Sequence, residues 1–212
     1  MESPLRGHIP DGTQLIETFG FVPGRGIARL DLHLDRMCHS ARALGFAFDA
    51  ALARMLVNTV DGPTPLRCRM TLDMDGQLDI AMAVFAPAPQ SWKIMVSRDR
   101  LTSSDPWLAH KTTQRDRYDQ ARAALPRHVD EMIFMNQDNA VCEGTITNVF
   151  LERDGMLLTP PLSAGALPGV LRRALIEGGT ARVATLTMSD LKASKTIFCG
   201  NSLRGLVPAV LV

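Results

Sequence analysis

The most regular pattern of apolar and polar residues lies at 65–73 (PLRCRMTLD). Every second residue from Leu66 to Leu72 is apolar, and the residues between them are charged or polar. Because successive side chains of a strand point to opposite faces, this alternation predicts a strand with one buried and one solvated face. An Asp-Gly pair follows and predicts a tight turn into a second strand over 78–85, which makes an antiparallel pair.

The N-terminal part of the chain predicts a hairpin and two helices. The apolar-rich run at 14–22 (QLIETFGFV) is typical of a strand, and a Pro-Gly-Arg-Gly turn leads from it into a short strand over 27–30. Asp31 is the predicted N-cap of a helix that ends at Gly45, and a second helix is predicted over 49–60. The apolar positions of the first helix recur at helical spacing: Leu34, Met37, Ala41 and Leu44.

The second half of the chain mixes strand patterns with helical ones. Strands are predicted over 93–97, 131–136, 147–152, 156–159, 182–187 and 196–199, and helices over 115–125 and 169–177. A stiff stretch with two prolines at 87–91 is the predicted linker. We therefore predict two domains, a small α+β domain at 1–86 and a larger domain at 92–212.

Composition argues against several classes of function. The 23 basic and 22 acidic side chains leave a formal net charge of +1, so no field of one sign favours nucleic acid or an anionic membrane. No apolar run approaches the roughly 20 residues of a membrane-spanning helix, and the first residues lack a basic start followed by an apolar core. The cysteines lie far apart and the histidines lack ligand spacing. We expect a cytoplasmic protein with reduced thiols and no metal centre.

Lysine is scarce in this chain, so the candidates for an amine nucleophile are few: Lys93, Lys111, Lys192 and Lys195. Lys111 differs from the others because it follows an irregular stretch and leads into a predicted helix start. A lysine in polar company is ordinarily a solvated surface residue, since lysine is rarely buried. The sequence around Lys111 nevertheless favours a chemical role.

Four motifs follow one another along the chain. They are His110-Lys111-Thr112-Thr113 with Arg115 and Tyr118, Glu143-Gly144-Thr145-Ile146-Thr147-Asn148-Val149-Phe150, Thr159-Pro160-Pro161 through Ala166-Leu167-Pro168-Gly169-Val170 with Arg172, and Asn201-Ser202-Leu203-Arg204-Gly205. Together with an early helix that carries Arg36, these motifs resemble the fold-type IV pyridoxal-phosphate enzymes. That family includes branched-chain and D-amino-acid aminotransferases and aminodeoxychorismate lyases. The resemblance covers nearly the whole chain.

The resemblance implies a two-domain fold, α+β and α/β in class, whose larger C-terminal domain has a mixed β core flanked by helices. It also implies a homodimer, pyridoxal 5'-phosphate as the cofactor and a small amino-acid-like substrate with carboxylate groups. This chain is shorter than most members of the family, so we expect part of its small domain to be trimmed.

Two residues have roles in the chemistry by this resemblance. Lys111 is implied to hold the cofactor as a Schiff base, which requires a neutral amine in a partly desolvated site beside cationic groups. Glu143 is implied to face the pyridine nitrogen, because a carboxylate there keeps that nitrogen protonated. Without the resemblance, Glu143 is equally well a solvated glutamate in a turn.

A further set of residues is implied to bind the phosphate of the cofactor. Phosphate binds to backbone N–H groups at a helix N-terminus together with a fixed cation. The helix opening supplies Gly169, Val170 and Leu171, while Arg36 is the cation and Asn201 a polar ligand. Many relatives have a threonine where this chain has Leu171, so one hydroxyl contact is missing.

The Asn-Ser-Leu-Arg-Gly turn and the His-Lys-Thr-Thr run resemble the lyase branch of the family. We therefore expect a 4-amino-4-deoxychorismate lyase, which eliminates pyruvate and gives 4-aminobenzoate for folate synthesis. Arg98, Arg115 and Arg204, with Tyr118, are the candidate substrate-binding residues, because guanidinium groups match carboxylate geometry. Two alternatives stay open: a branched-chain or D-amino-acid aminotransferase, and a non-catalytic protein that kept the fold.

Overall fold

The structure, a computed structural model, describes residues 4–86 and 90–212. The described chain forms two compact units. The first unit contains the residues up to 86 and the separate segment His110–Gln114, and the second unit contains all other described residues. The division into domains made from the sequence stays a prediction, and residues 87–89 of the predicted linker lie outside the described residues.

In the described residues, the first unit is built around a four-stranded antiparallel sheet. Its elements are β1 (Leu15–Val22), β2 (Gly26–Ile27), α1 (Leu30–Leu44), α2 (Ala50–Val57), β3 (Leu66–Leu72) and β4 (Leu78–Val84). The strand order is β2-β1-β3-β4, and β1 pairs with β3 along nearly its whole length. The alternation predicted for β3 is confirmed, since Cys68, Met70 and Leu72 are fully buried.

Helix α1 begins differently from the prediction. Its apolar stripe is buried as predicted, and Gly45 ends it with a positive φ of 86°. Asp31 is not the N-cap, because the helix begins at Leu30, with Arg29 in the cap position and in the left-handed conformation. Asp31 instead pairs with Arg54 at the surface. Because the helix begins at Leu30, the strand predicted over 27–30 is shorter in the structure and ends at Ile27.

The second unit contains a larger, mixed sheet with helices. Its elements are β5 (Trp92–Leu101), α3 (Asp116–Ala123), β6 (Glu131–Asn136), β7 (Val141–Gly144), β8 (Asn148–Arg153), β9 (Met156–Thr159), α4 (Val170–Glu177), β10 (Ala181–Val183), α5 (Met188–Ala193), β11 (Ile197–Asn201) and β12 (Gly205–Leu211). Short 3₁₀ turns lie at Pro106–Ala109 and Leu162–Ala164.

The sheet of the second unit combines parallel and antiparallel pairs. Its strand order is β10-β9-β8-β11-β12-β5-β6-β7, and β7 also pairs with β8, so that the strands from β8 to β7 close into a ring. The β5–β6, β5–β12 and β9–β10 pairs are parallel, and the remaining pairs are antiparallel. This mixed sheet flanked by helices confirms the predicted fold class.

The sequence patterns missed three elements of the second unit. Strand β7 is only four residues long, and α5 begins with a Thr187–Asp190 capping box at the end of the strand predicted over 182–187. Strand β12 contains Pro208, a residue that argues against a central strand because its backbone donates no hydrogen bond. Pro208 is tolerated because the parallel pairing of β12 with β5 begins only at the next residue, Ala209.

Candidate cofactor site

Lys111 lies in a segment of the first unit that is hydrogen-bonded to the start of β1. The N–H of Ile16 donates to the C=O of Lys111 over 2.8 Å, and the N–H of Thr113 donates to the C=O of Gln14 over 2.9 Å. Thr112, between them, is buried, whereas Lys111 is partly exposed. These bonds fix the backbone at Lys111 and therefore the direction in which its side chain leaves the strand.

His110, directly before Lys111, is buried against α1. Its Nδ1 lies 3.0 Å from the Oγ of Ser40, which is buried as well. Burial lowers the pKa of His110, and the nearby His39 lowers it further. The imidazole is therefore neutral near pH 7, and the segment that carries Lys111 is tied to α1 as well as to β1.

Arg36 lies on α1 and is held by a buried carboxylate. Its Nε and Nη2 donate to the two oxygens of Glu17 over 2.8 and 2.7 Å, and His33 Nδ1 lies 2.5 Å from Oε2. Burial by itself would raise the pKa of Glu17, but the charge of Arg36 and the hydrogen bond from His33 outweigh it and lower the pKa to about 2. The guanidinium is thus fixed in orientation, as a phosphate ligand must be.

Glu143 lies on β7 of the second unit and is 6% exposed. Its carboxylate accepts a hydrogen bond from the Tyr118 O–H over 2.6 Å and another from the Leu167 N–H over 2.8 Å. Burial, together with the charge of Glu143, raises the pKa of Tyr118, so the hydroxyl stays protonated and donates. The structure therefore presents a buried, oriented carboxylate, which is the group that a protonated pyridine ring needs.

Gly169 is the N-cap of α4, the helix whose N-terminus is the predicted phosphate site. A Cβ at Gly169 would lie 1.8 Å from the Oδ1 of Asn148, so only glycine fits there. The N–H of Gly169 donates to the C=O of Leu167 over 2.7 Å, and within the described residues no side chain caps the N–H groups of Val170 and Leu171. Such a helix N-terminus attracts anions, because its N–H groups lack partners and the helix dipole is positive there.

Asn201 orders the turn between β11 and β12. Its Oδ1 accepts hydrogen bonds from the backbone N–H groups two and three residues ahead, over 3.1 and 2.9 Å, and its Nδ2 donates to the C=O of Ile146 over 3.2 Å. The preceding Gly200 packs against α4, since a Cβ there would lie 2.9 Å from Leu171 Cδ2. The turn and the start of α4 therefore lie side by side in the second unit.

Arg115 and Tyr118 lie together beside the turn that follows Glu143. Arg115 donates from Nη2 to the C=O of Thr145 over 3.1 Å and from Nε to Asp119 over 2.8 Å. Its guanidinium carbon lies 5.7 Å from the centre of the Tyr118 ring. The structure thus groups these two predicted substrate residues with Glu143, which Tyr118 contacts directly.

The other two predicted arginines have different surroundings. Arg98 is exposed on β5, in the part of the strand where the pairing with β6 is irregular. Arg204 is partly buried in the turn between β11 and β12, and its guanidinium carbon lies 5.8 Å from the centre of the Trp92 ring. A cation over an aromatic face is stabilised by the negative charge of that face. The roles of Arg98 and Arg204 in substrate binding stay predictions.

Sequence reasoning missed two buried carboxylates. Glu17 lies on β1 and holds Arg36, and Glu131 begins β6 with a carboxylate that is completely buried. Glu131 accepts hydrogen bonds from the turn that connects β7 with β8. The available signal was a glutamate at an inward position of an alternating strand, since glutamate is rarely buried without a reason.

None of the helices in the described part of the chain combines the length and the apolar character that spanning a membrane requires. Within 4–86 and 90–212, no cluster of three or more His, Cys, Asp or Glu side chains is placed to hold a metal ion.

Comparison with known proteins identifies the family. Residues 14–212 match the family described as amino-transferase class IV. The chain belongs to the class IV aminotransferases. A protein from Schizosaccharomyces pombe, provisionally assigned as an aminodeoxychorismate lyase, is 27% identical over 86% of this chain and 84% of its own. The aminodeoxychorismate lyase of Saccharomyces cerevisiae is 26% identical over 55% of this chain, a match that spans only 36% of the yeast protein.

A solved structure supports the same family. The crystal structure of a provisionally assigned amino-acid aminotransferase from Mesorhizobium loti is 42% identical, with a TM-score of 0.89 over 94% of this chain and 100% of that one. Class IV aminotransferases depend on pyridoxal phosphate, so this chain is a pyridoxal-phosphate-dependent lyase or aminotransferase.

Proposed function

We propose that this chain is a 4-amino-4-deoxychorismate lyase, which eliminates pyruvate and gives 4-aminobenzoate for folate synthesis. The observation that carries the proposal is the buried carboxylate of Glu143, oriented by the Tyr118 O–H and the Leu167 N–H. Pyridoxal-phosphate chemistry requires such a carboxylate opposite the pyridine nitrogen. The names of the two yeast relatives support the lyase reaction in particular.

Each group of the cofactor has its own proposed residues. Lys111 binds its aldehyde carbon, and Glu143 faces its pyridine nitrogen. Its phosphate is bound by a fixed cation, a polar side chain and the start of a helix: Arg36, Asn201, Gly169, Val170 and Leu171. In this set Gly169 leaves room for the side chain of Asn148, while the next two residues supply N–H groups. When bound, pyridoxal phosphate supplies an electron sink that stabilises negative charge on the α-carbon of the substrate.

Lys111 has two tasks in this proposal. Its amine must be neutral to bind the cofactor, and its Nζ then takes the proton from the α-carbon of the substrate. The hydrogen bond from Ile16 to the C=O of Lys111 keeps the backbone in place during both tasks. The neutral imidazole of His110 adds no charge beside the amine.

Arg115 is the residue that we propose for a substrate carboxylate. Thr145 and Asp119 hold its guanidinium from two sides, so its plane has a defined orientation before a ligand arrives. A pre-oriented guanidinium binds a carboxylate through parallel hydrogen bonds with little further loss of side-chain entropy. Arg98, Arg204 and Tyr118 complete the proposed set.

Incubation of the purified protein with pyridoxal phosphate and aminodeoxychorismate tests the proposal. We expect pyruvate, measured through lactate dehydrogenase, to appear together with 4-aminobenzoate. The K111A variant should lose activity by at least about a thousandfold, because no other group replaces the amine. The K192A variant removes an exposed lysine of α5 and should be as active as the wild type. Absence of pyruvate from a protein with the visible absorbance of bound cofactor would contradict the lyase proposal.

An amino-acid aminotransferase is the second candidate function. The assignment of the 42% identical Mesorhizobium loti protein favours it. The two functions differ in their products, since an aminotransferase moves the amino group to a keto acid such as 2-oxoglutarate. Formation of glutamate from 2-oxoglutarate and a branched-chain or D-amino acid, without release of pyruvate from aminodeoxychorismate, would establish the second function.

We also propose, from the family resemblance, that the chain works as a cytoplasmic homodimer. Light scattering on a size-exclusion column should then give twice the 23.2 kDa mass of one chain. Fractionation of cells that express the protein at its natural level should place it with cytoplasmic markers. A monomeric mass in the presence of cofactor would contradict the dimer.

A further inference from the structure

Glu131, at the start of β6, is a fully buried carboxylate that accepts hydrogen bonds from one turn of the chain. Its Oε1 accepts from the N–H of Met132 over 2.9 Å, from the N–H of Thr145 over 3.0 Å and from the Thr145 hydroxyl. Its Oε2 accepts from the N–H of Ile146 over 3.2 Å and from the Thr147 hydroxyl over 3.0 Å. Three consecutive residues of the β7–β8 turn, 145–147, are therefore bonded to a single side chain.

The turn also packs directly on this carboxylate. A Cβ at Gly144 would lie 2.9 Å from Glu131 Oε2 and 2.4 Å from Thr147 Oγ1, so a side chain at Gly144 has no room. Arg122, which is partly exposed, pairs with the same carboxylate. Its Nη1 lies 3.5 Å from Glu131 Oε1 and donates to Thr145 Oγ1 over 2.9 Å. The backbone after Glu143 is thus fixed by packing as well as by hydrogen bonds.

Three residues of the candidate site depend on this turn. Glu143 immediately precedes it on β7. The C=O of Thr145 accepts from Arg115, and the C=O of Ile146 accepts from Asn201. The C=O of Thr145 shares a peptide plane with the N–H of Ile146, so the bond from that N–H to Glu131 fixes its direction. The bond from the Thr147 hydroxyl to Glu131 holds the residue that follows the C=O of Ile146. One buried carboxylate therefore organises the surroundings of the pyridine, substrate and phosphate residues of the second unit.

The donors around Glu131 suit a side chain that accepts hydrogen bonds at both oxygens. Every group that contacts the two oxygens is an N–H or O–H donor, and an ionised carboxylate is the side chain that accepts at both oxygens. A glutamine has the same shape but presents an NH₂ group to one set of donors. The E131Q variant therefore removes hydrogen bonds to the turn without leaving a cavity.

We propose that Glu131 is a positioning residue for cofactor binding, which acts by fixing the turn 145–147 and through it the orientation of the Glu143 carboxylate. The proposal rests on the proposed function, because it requires that the chain binds pyridoxal phosphate through Glu143. Glu131 itself touches neither cofactor nor substrate.

Titration calorimetry with pyridoxamine 5'-phosphate tests the proposal, since this form of the cofactor binds without a covalent bond to Lys111. We expect E131Q to bind at least about tenfold more weakly than the wild type, the effect of losing one or two charged hydrogen bonds. The matched control is E152Q, which changes an exposed glutamate of β8 and should stay within about twofold of the wild type. Binding by E131Q within about twofold of the wild type would overturn the proposal.

A double-mutant cycle separates positioning from general weakening of the fold. If Glu131 acts through Glu143, the E131Q/E143Q double variant should bind no more than about twofold more weakly than E143Q alone. Losses that multiply in the double variant would overturn the proposal, because Glu131 would then act independently of Glu143. Far-ultraviolet circular dichroism should be the same for all variants.

A second variant keeps the test decisive if E131Q does not fold. T147V removes one hydroxyl donor and preserves the shape of the side chain, so we expect binding about threefold weaker than in the wild type. Unchanged binding by T147V would then overturn the proposal. Failure of the wild type to bind pyridoxamine phosphate would overturn the proposed function as well, whereas normal wild-type binding that E131Q leaves intact overturns only the role of Glu131.

Discussion

Glu17 is a buried residue whose ionised form is stabilised by its neighbours. The carboxylate is 1% exposed, yet Arg36 and His33 lower its pKa from 4.5 to about 2. A carboxylate with a depressed pKa in the folded state stabilises the fold at pH values above its unfolded pKa. This contribution is fully present above pH 4.5 and is lost as the pH falls from there towards 2.

The E17Q variant should therefore be less stable, in a way that depends on pH. We expect its free energy of unfolding to be about 3 kcal/mol lower than that of the wild type at pH 7, because Arg36 then lacks its charged partner. At pH 3 the difference should be about half as large, since Glu17 of the unfolded wild type is then mostly protonated. Urea titrations at both pH values measure the free energies of unfolding.

The control for E17Q is D31N, which breaks the exposed pair of Asp31 with Arg54. Exposed pairs contribute little, so we expect a change below about 0.5 kcal/mol. A loss in E17Q that is as large at pH 3 as at pH 7 would contradict the linkage argument.

The cysteines give a second prediction about single residues. Burial, and then the charge of Glu143, raise the pKa of the Cys142 thiol to about 12, and burial also raises the pKa of Cys68 and Cys199. Thiols with raised pKa values form little thiolate and react slowly. At pH 8 we expect Ellman's reagent to react rapidly only with Cys38, which is partly exposed, and with all four cysteines in guanidinium chloride. A fast native reaction in C38S would contradict this expectation.

The sequence predicted some of the functional residues and missed others. Lys111 and Glu143 were proposed through the family motifs around them, because neither composition nor periodicity separates them from surface residues. Glu17 and Glu131 were missed, since a carboxylate is buried only when distant parts of the chain bring donors to it. The inward position of Glu131 on its strand was a local signal, but its donors come from a turn about fifteen residues later, and no local pattern identifies those donors.

Among the elements, the start of α4 leads to a prediction about anion binding. In G169A the new Cβ would overlap with Asn148 Oδ1, so the side chain of Asn148 or the first turn of α4 must shift. We expect binding of pyridoxamine phosphate, measured by calorimetry, to weaken by at least about tenfold, because the N–H groups at Val170 and Leu171 lose their alignment. The control G178A adds a methyl group at the other end of α4, 3.1 Å from a carbonyl oxygen, and should bind normally. Equal binding by both variants would contradict a role of this helix start.

Elements were predictable where local pattern and tertiary environment agree. The strands predicted over 131–136 and 156–159 have those boundaries in the structure, because their apolar runs are bounded by turns. Strand β12 was missed since its proline counts against a central strand until the pairing partners are known. Helix α5 was missed although its Thr-x-x-Asp signature is present, because an apolar run preceding it resembled a strand.

For the whole molecule, the cofactor should stabilise the fold through binding alone. At a concentration of about 100 times its dissociation constant, pyridoxamine phosphate should add about 2.7 kcal/mol to the free energy of unfolding. We expect the melting temperature to rise in the wild type and in K111A alike, since this ligand needs no covalent bond to the lysine. Equal melting temperatures with and without the ligand would contradict the assignment of the binding residues.

The attachment of the Lys111 segment to β1 has a consequence for biosynthesis. The N–H of Gln14 bonds to the Oγ of Thr113, a partner 99 residues further along the chain. During synthesis, β1 therefore leaves the ribosome long before Lys111 does. Until then, the edge of β1 that pairs with the Lys111 segment is exposed to solvent or to chaperones. Because each doubling of such a loop costs only about 0.6 kcal/mol of closure entropy, the delay affects the speed of maturation far more than the final stability. Lys111 is thus among the last parts of the first unit to reach its place.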